Sequence, residues 1–308
     1  MKKFARTSLI VSGILFVTGA VILIICSLWA GSMRSALSDT VSSQLHNTLS
    51  FGPLFFWGKS SNHHWNHHYP VQSGEYTDDT AALGSDITEL DIDLNYLDFT
   101  LTASQDEYFH ISSQGDGKYQ YYTDDSVFYL NGCLDRRTIG KNQITLAVPD
   151  INFACISIDF GAGSARISSL KGESVLLDIG AGELTLDGVD CDYISANVGA
   201  GSASVNNANT QNANFEIGMG ELVYKGYINA ELTAEVGMGN ITLQIADTQN
   251  AHNYDLECAM GAITLGQKEY GGMAFETEID NGADSNYSLE CGMGSIDISF
   301  EDTNQDEK

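Results

Sequence analysis

Seven residues able to hold a cation or accept hydrogen bonds recur at one place in a repeated unit: Asp159, Asp178, Asn197, Glu216, Glu235, Glu257 and Glu290, each four residues before a glycine. Stacked on neighbouring β-rungs they would lie ~4.8 Å apart, where like charges repel. Two readings follow. Either solvent and salt screen the column and it binds nothing, or Ca²⁺ bridges adjacent carboxylates, since that ion takes several oxygen ligands. The repeats lack the Gly-Gly-x-Gly-x-Asp form of a Ca²⁺-binding β-roll. The expectation is therefore no cofactor, with Ca²⁺ as the alternative, whose mark would be a melting temperature that rises with millimolar Ca²⁺ at matched ionic strength.

Other chemistry-bearing groups are sparser. His63, His64, His67 and His68 fall within six positions, a density that suits Zn or Cu, but no Cys or carboxylate pair with ligand spacing accompanies them. A solvated stalk is the competing reading. Cys133, Cys155, Cys191, Cys258 and Cys291 follow the apolar N-terminal run, and Cys26 lies within it. Cys258 and Cys291 share one inward column, so they are either small apolar fillers or a disulfide across adjacent coils. The filler reading is preferred. The repeat also carries Ala162, Ala181 and Ala200, then Met219, Met238, Met260 and Met293, in a single column; the expectation is that Met fills gaps in a changing core. Arg166 and His252 are the only Arg and His in the regular array. No nucleophile stands with a partner base, and no phosphate-cradling loop carries a Lys. The chain reads as non-enzymatic; a site acting on surface polysaccharide would need the 271–285 loop against the outward acids.

The elements that position these residues come from one pattern written seven times over 156–300. Its anchors are Gly161-Ala162-Gly163, Gly180-Ala181-Gly182, Gly199-Ala200-Gly201, Gly218-Met219-Gly220 and Gly237-Met238-Gly239, then Ala259-Met260-Gly261 and Gly292-Met293-Gly294. The second glycines are separated by 19, 19, 19, 19, 22 and 33 residues, a period that signals a solenoid. Apolar residues stand seven, five and three places before the second glycine, as in Ile156, Ile158 and Phe160. They stand two and four places after it, as in Leu184 and Leu186. Each half alternates as a half-buried strand does, and the phase slips by one at the glycine. Such a slip predicts a bend there, with Gly163, Gly182, Gly201, Gly220, Gly239, Gly261 and Gly294 in a left-handed conformation. A further apolar position at Leu170, Val189, Ala208 and Tyr227 suggests a third side. The fold expected is an all-β, three-sided parallel β-solenoid of about 19 residues per coil, stable only through stacking of neighbours.

The chain divides further. Residues 1–34 hold Lys2, Lys3 and Arg6, then a run from Ser8 to Ala30 long enough, at ~1.5 Å per residue, to cross a ~30 Å hydrocarbon core. An uncleaved signal anchor with a cytoplasmic N-terminus and an extracellular bulk is expected. After Arg34 the chain has 10 basic residues against 41 acids, a net charge of −31; nucleic acid is an improbable partner for such a surface. Residues 35–84 form a juxtamembrane helix or stalk carrying Phe51, Phe55, Phe56, Trp57 and the histidines. Residues 85–155 hold capping β-coils, in which Asp93 to Leu101 align with Asp178 to Leu186, with both glycines replaced. That degenerate copy suits a terminal coil facing water. A loop of roughly fourteen extra residues is expected around 271–285, and 301–308 is a polar tail.

The basic N-terminus, single span, Ile144-Thr145-Leu146-x-x-Pro149 lead-in and repeated Gly-x-Gly units together resemble a bacterial family of membrane-anchored candidate adhesins. That family is also treated as a domain of unknown function and includes LiaG-like proteins of Gram-positive envelope-stress operons. The resemblance covers about 85–300. It implies a β-solenoid at the cell surface, in adhesion or envelope stress. The partners expected are cell-wall polymers, host surface polymers or envelope membrane proteins, with a passive structural spacer that binds nothing as the alternative. It supplies no catalytic residues.

Overall fold

The structure is a computed structural model that describes residues 69, 71–73, 76–81, 87–115, 118–133, 142–271 and 274–301, all within one compact unit, Pro53–Lys308. The span expected over 8–30, the four clustered histidines and the tail beyond Glu301 lie outside the described residues. Among the described residues no helix is long and apolar enough to cross a membrane.

The described chain is all-β and solenoid-like; among the described residues the one helical turn is the 3-10 turn Gln249–Ala251. The long strands Gly163–Ile179, Glu183–Val198, Ser202–Ile217 and Glu221–Val236 pair in parallel, each with the next. Ala165 lies beside Leu184, Leu184 beside Ala203, and Ala203 beside Leu222. Within one such strand the ladder runs in three stretches, 164–168, 170–172 and 174–179, so each coil turns twice between Gly-x-Gly corners. The alternating apolar columns all point inward: Ile156, Ile158, Phe160, Leu184, Leu186 and their counterparts are buried. Each fully buried Leu or Ile contributes ~1.5–3 kcal/mol, and no single coil could enclose them.

The corners are not built as the phase slip predicts. Of the seven second glycines only Gly163 has a left-handed backbone, at φ 119°. The left-handed residues fall six places later, at Ser169 (φ 59°), Gly188 (φ 86°), Asn207 (φ 53°) and Gly226 (φ 150°). The second glycine is required by stacking instead. A Cβ on Gly201 would lie 2.2 Å from the carbonyl oxygen of Gly182, and one on Gly220 would lie 2.3 Å from that of Gly201. One on Gly294 would lie 2.1 Å from the oxygen of Gly239. Backbone rests on backbone there, with no room for a side chain. The third side also departs from expectation in one coil. A register shift sets Ala208 beside Gly226, which turns Tyr227 outward and buries Ile228.

At both ends the spatial order differs from the chain order. After Asn240–Ile245 the chain does not lay down the next rung. His252–Cys258 and Ala262–Leu265 form the outermost coil, and Ser285–Cys291 and Ser295–Phe300 then insert beneath it. Leu232 therefore pairs with Tyr287, and Tyr287 with Tyr254. The N-terminal end mirrors this. The degenerate copy Glu89–Asn95 and Leu97–Ala103 is not terminal: it lies between the first regular coil and an outer coil of Val127–Cys133 and Gln143–Val148. Antiparallel strands close both ends. Phe109–Gln114 and Lys118–Asp124 cover the N-terminal coil, and Lys268–Gly271 and Phe275–Ile279 cover the C-terminal one. The residues expected as a loop at 271–285 thus include an edge-covering strand, the usual remedy for unpaired strand edges.

Two substitutions separate stacking from conformation. Gly220→Ala must displace the Gly201 carbonyl and the Val198 side chain, 2.8 Å from the new Cβ, and should destabilise by about 1–3 kcal/mol. Gly188→Asn meets only Ser169 at 3.7 Å and reproduces the residue type at Asn207, so its cost should stay within about 1 kcal/mol. Urea unfolding of both variants is the check; equal costs would refute the stacking role.

Candidate functional site

The stacking brings the outward acids into one continuous column, though not in chain order. From one end it reads Asp93, Asp159, Asp178, Asn197, Glu216, Glu235, Glu290, Glu257 and, on the antiparallel cap, Glu276. Beside it on the same face runs Asp91, Ser157, Leu176, Ser195, Asn214, Thr233, Ser288, Asp255 and Glu278. A third column holds Cys155, Ser174, Tyr193, Asn212, Glu231, Asn286 and Asn253. Strand alternation produces this face, because every residue between these columns is committed to the core. The result is a broad strip, mostly of hydroxyls, amides and carboxylates, with the exposed Leu176 among them.

At the C-terminal end the strip is indented by a groove of about 600 Å³ among Glu231, Thr233, Asp255, Glu278, Asn286 and Ser288. Its margin is held by Asn253. That side chain donates to the Ala283 carbonyl at 2.7 Å and accepts from the Asn281 and Ala283 amides at 2.9 and 3.2 Å. The sequence reading did not anticipate this groove. It arises from the inserted coil and its cap, which have no local signature.

Along the acid column charge accumulates without convergence: among the described residues no three of His, Cys, Asp and Glu come together as a metal site. Burial pushes the Glu235 carboxyl up, and the neighbouring charges of Glu290 and Glu216 push it further. The sequence-identified thiols Cys258 and Cys291 face one another on adjacent rungs, both buried and free. Burial and then the neighbouring Cys258 raise the Cys291 thiol to about 11, which makes Cys291 a poor nucleophile at neutral pH. The four methionines are not core fillers. Met219, Met238, Met260 and Met293 are exposed, because strand phase at the corner turns the middle residue of Gly-x-Gly outward.

His252, the one histidine of the array, is buried against the Tyr287 ring at 4.1 Å. Ser285 Oγ donates to the Ala230 carbonyl at 2.6 Å and so accepts from His252 Nδ1 at 2.8 Å. This chain ties three consecutive rungs across the inserted coil. Burial lowers the histidine's affinity for a proton, and Asp247, 3.9 Å from Nε2, only partly offsets that.

These coils, columns and covered ends define a solenoid-like stack of β-rungs. The chain belongs to the Toastrack DUF4097 family, a domain of unknown function, whose profile matches residues 87–289. Comparison with curated proteins gives no match. Among solved structures the chain is similar to a candidate cell adhesion protein of Clostridium sporogenes, at 11% identity and a TM-score of 0.34 over 73% of this chain and 99% of that one. It is similar to a candidate adhesin of Bacteroides fragilis at 14% identity and a TM-score of 0.37, over 74% and 97% of the two chains. A candidate lipid binding protein of Parabacteroides distasonis matches at 12% identity and a TM-score of 0.33, over 73% and 98%.

Two titrations follow from the geometry. Glu235 binds its proton more tightly folded than unfolded, so its charge costs stability once pH rises past the ordinary carboxylate range. Glu235→Gln should therefore stabilise at pH 7 by ~0.5 kcal/mol and have no effect near pH 3. His252 behaves oppositely. The unfolded chain takes up the proton first, so stability falls as pH drops through about 6.5. Urea unfolding at pH 7.5 and 5.5 should show that loss in the wild type and a flatter dependence in His252→Phe.

Proposed function

We propose that this chain is a non-enzymatic surface protein, tethered to the cell membrane through residues 8–30, whose three-sided parallel β-solenoid presents one polar face to a ligand. It acts in adhesion or in sensing at the cell envelope. The observation that carries this reading is the in-register strip of hydroxyls, amides and carboxylates, continuous across the stacked rungs and indented at one end. A face of this kind offers repeated hydrogen-bonding groups at the ~4.8 Å rung spacing, suited to an extended polymer lying along the stack. The acid column and the net charge of −27 repel polyanions, so a neutral surface glycan is the favoured class. Short turns and the scarcity of Arg and His in the array support binding over catalysis.

The test uses the full chain in detergent and a panel of neutral and anionic surface polysaccharides. Binding to a neutral glycan is expected, weakened at least tenfold by Thr233→Arg, with the melting temperature unchanged. A wild-type chain that binds no polymer contradicts the reading and leaves a passive spacer. Shortening of the glycan on incubation would make the chain an enzyme.

A further inference from the structure

The exposed methionines occupy four consecutive rungs, in the spatial order Met219, Met238, Met293 and Met260. Their backbones are tied rung to rung: Met238 N donates to the Gly218 carbonyl at 2.8 Å, Met293 N to that of Gly237 at 2.7 Å, and Met260 N to that of Gly292 at 2.8 Å. Along this order the side chains are 63, 47, 50 and 63% exposed. The insertion of the last coil beneath its predecessor leaves the row unbroken. Glycine flanks both sides of Met219, Met238 and Met293, so no neighbouring Cβ crowds these thioethers from within the corner.

Apolar contact alone does not account for this row. The chain places Leu, Ile, Val and Phe freely in its inward columns, yet none occurs in this one: the middle position is Ala in three copies and Met in the other four. An apolar docking ridge would accept Leu or Ile as well as Met. What distinguishes Met is its sulfur, a neutral and polarisable donor on an unbranched side chain with three rotatable bonds. Soft thioethers select soft cations such as Cu(I) and leave Ca²⁺ and Mg²⁺ to oxygen ligands. Rungs ~4.8 Å apart bring successive flexible thioethers within reach of a shared ion. Glu221, exposed two residues from Met219, and the strongly negative chain raise the local concentration of any cation.

We propose that Met219, Met238, Met293 and Met260 form a binding site for a soft monovalent metal ion, Cu(I) or its redox-inert analogue Ag(I), held by thioethers from adjacent rungs. The site is separate from the polar face, since the methionines stand on the Gly-x-Gly corner beyond it. Binding requires no bond-making beyond coordination and releases no proton, because thioethers carry none.

The experiment labels the methionine methyl carbons of the full chain with ¹³C and titrates Ag(I) in halide-free buffer. The methyl signals of the four ridge residues should shift together, while those of Met1, Met33 and Met273 stay in place. Zn²⁺ and Ca²⁺ should leave all of them unmoved. Replacing all four by Leu, which keeps the apolar surface, should weaken Ag(I) retention at the ridge at least tenfold against a competing chelator, with the melting temperature unchanged. Ridge signals that stay still while the thiols take up silver would overturn the site. So would retention that survives the four Leu substitutions once the thiols have been alkylated.

Discussion

The structure depends on how closely one turn of backbone approaches the next at the Gly-x-Gly corner. There the peptide oxygen of one coil lies where the Cβ of the next would be, so contact is main chain on main chain. Gly201 on Gly182, Gly220 on Gly201 and Gly239 on Gly220 repeat this approach, at 2.1–2.3 Å from oxygen to the absent carbon. Amide hydrogen bonds such as Ala200 N to the Gly180 carbonyl and Met219 N to that of Gly199, both 2.8 Å, accompany it. A side chain at the second glycine would hold the coils apart, and the in-register ladders on either side would lose their spacing. The continuous core, the polar face and the methionine row all follow from that fixed approach.

A stack held this way has two raw ends, and both are finished by the same device. The terminal coil is laid down out of chain order, an inner coil lies beneath it, and antiparallel strands cover the exposed edge. Reversing the order places the chain's return inside the stack, where its main-chain groups are paired from both sides. At the C-terminal end this also threads His252, Ser285 and Ala230 together across three rungs. The buried aromatic rings of Tyr224, Tyr254 and Tyr287 gather around the same junction. Their hydroxyls donate to the carbonyls of Tyr227, Gln249 and Ile228, so the wide core there leaves no hydroxyl unpaired. The groove on the polar face is a by-product of this ending.

Periodicity made the strands, their inward columns and the outward acid column readable from residue types alone, because burial and the two-residue alternation act locally. The role of the second glycine was harder. A residue invariant for left-handed backbone and one invariant for close approach look the same in sequence, and only the rung beneath tells them apart. The left-handed positions carried a weaker mark, since Ser169 and Asn207 alternate there with glycine. The methionines misled for a related reason: an apolar residue beside two glycines reads as core until the strand phase at the corner is known. Nothing local encodes the exchanged order of the last two coils. Copies with equivalent columns fit either place, and only the partners of each rung decide.

Cross-linking of rung partners tests this account most directly. Ser295 lies beside both Asn240 and Ala262, so Asn240 and Ala262 are separated by a whole coil. In a chain whose native cysteines are replaced by Ala, oxidation of the pair Asn240→Cys with Ser295→Cys should give a disulfide, the spacing of adjacent rungs lying inside the ~4.4–6.8 Å Cα range for that bond. The pair Asn240→Cys with Ala262→Cys should give none. A disulfide in the second pair and not in the first would show the coils stacked in chain order and contradict the account.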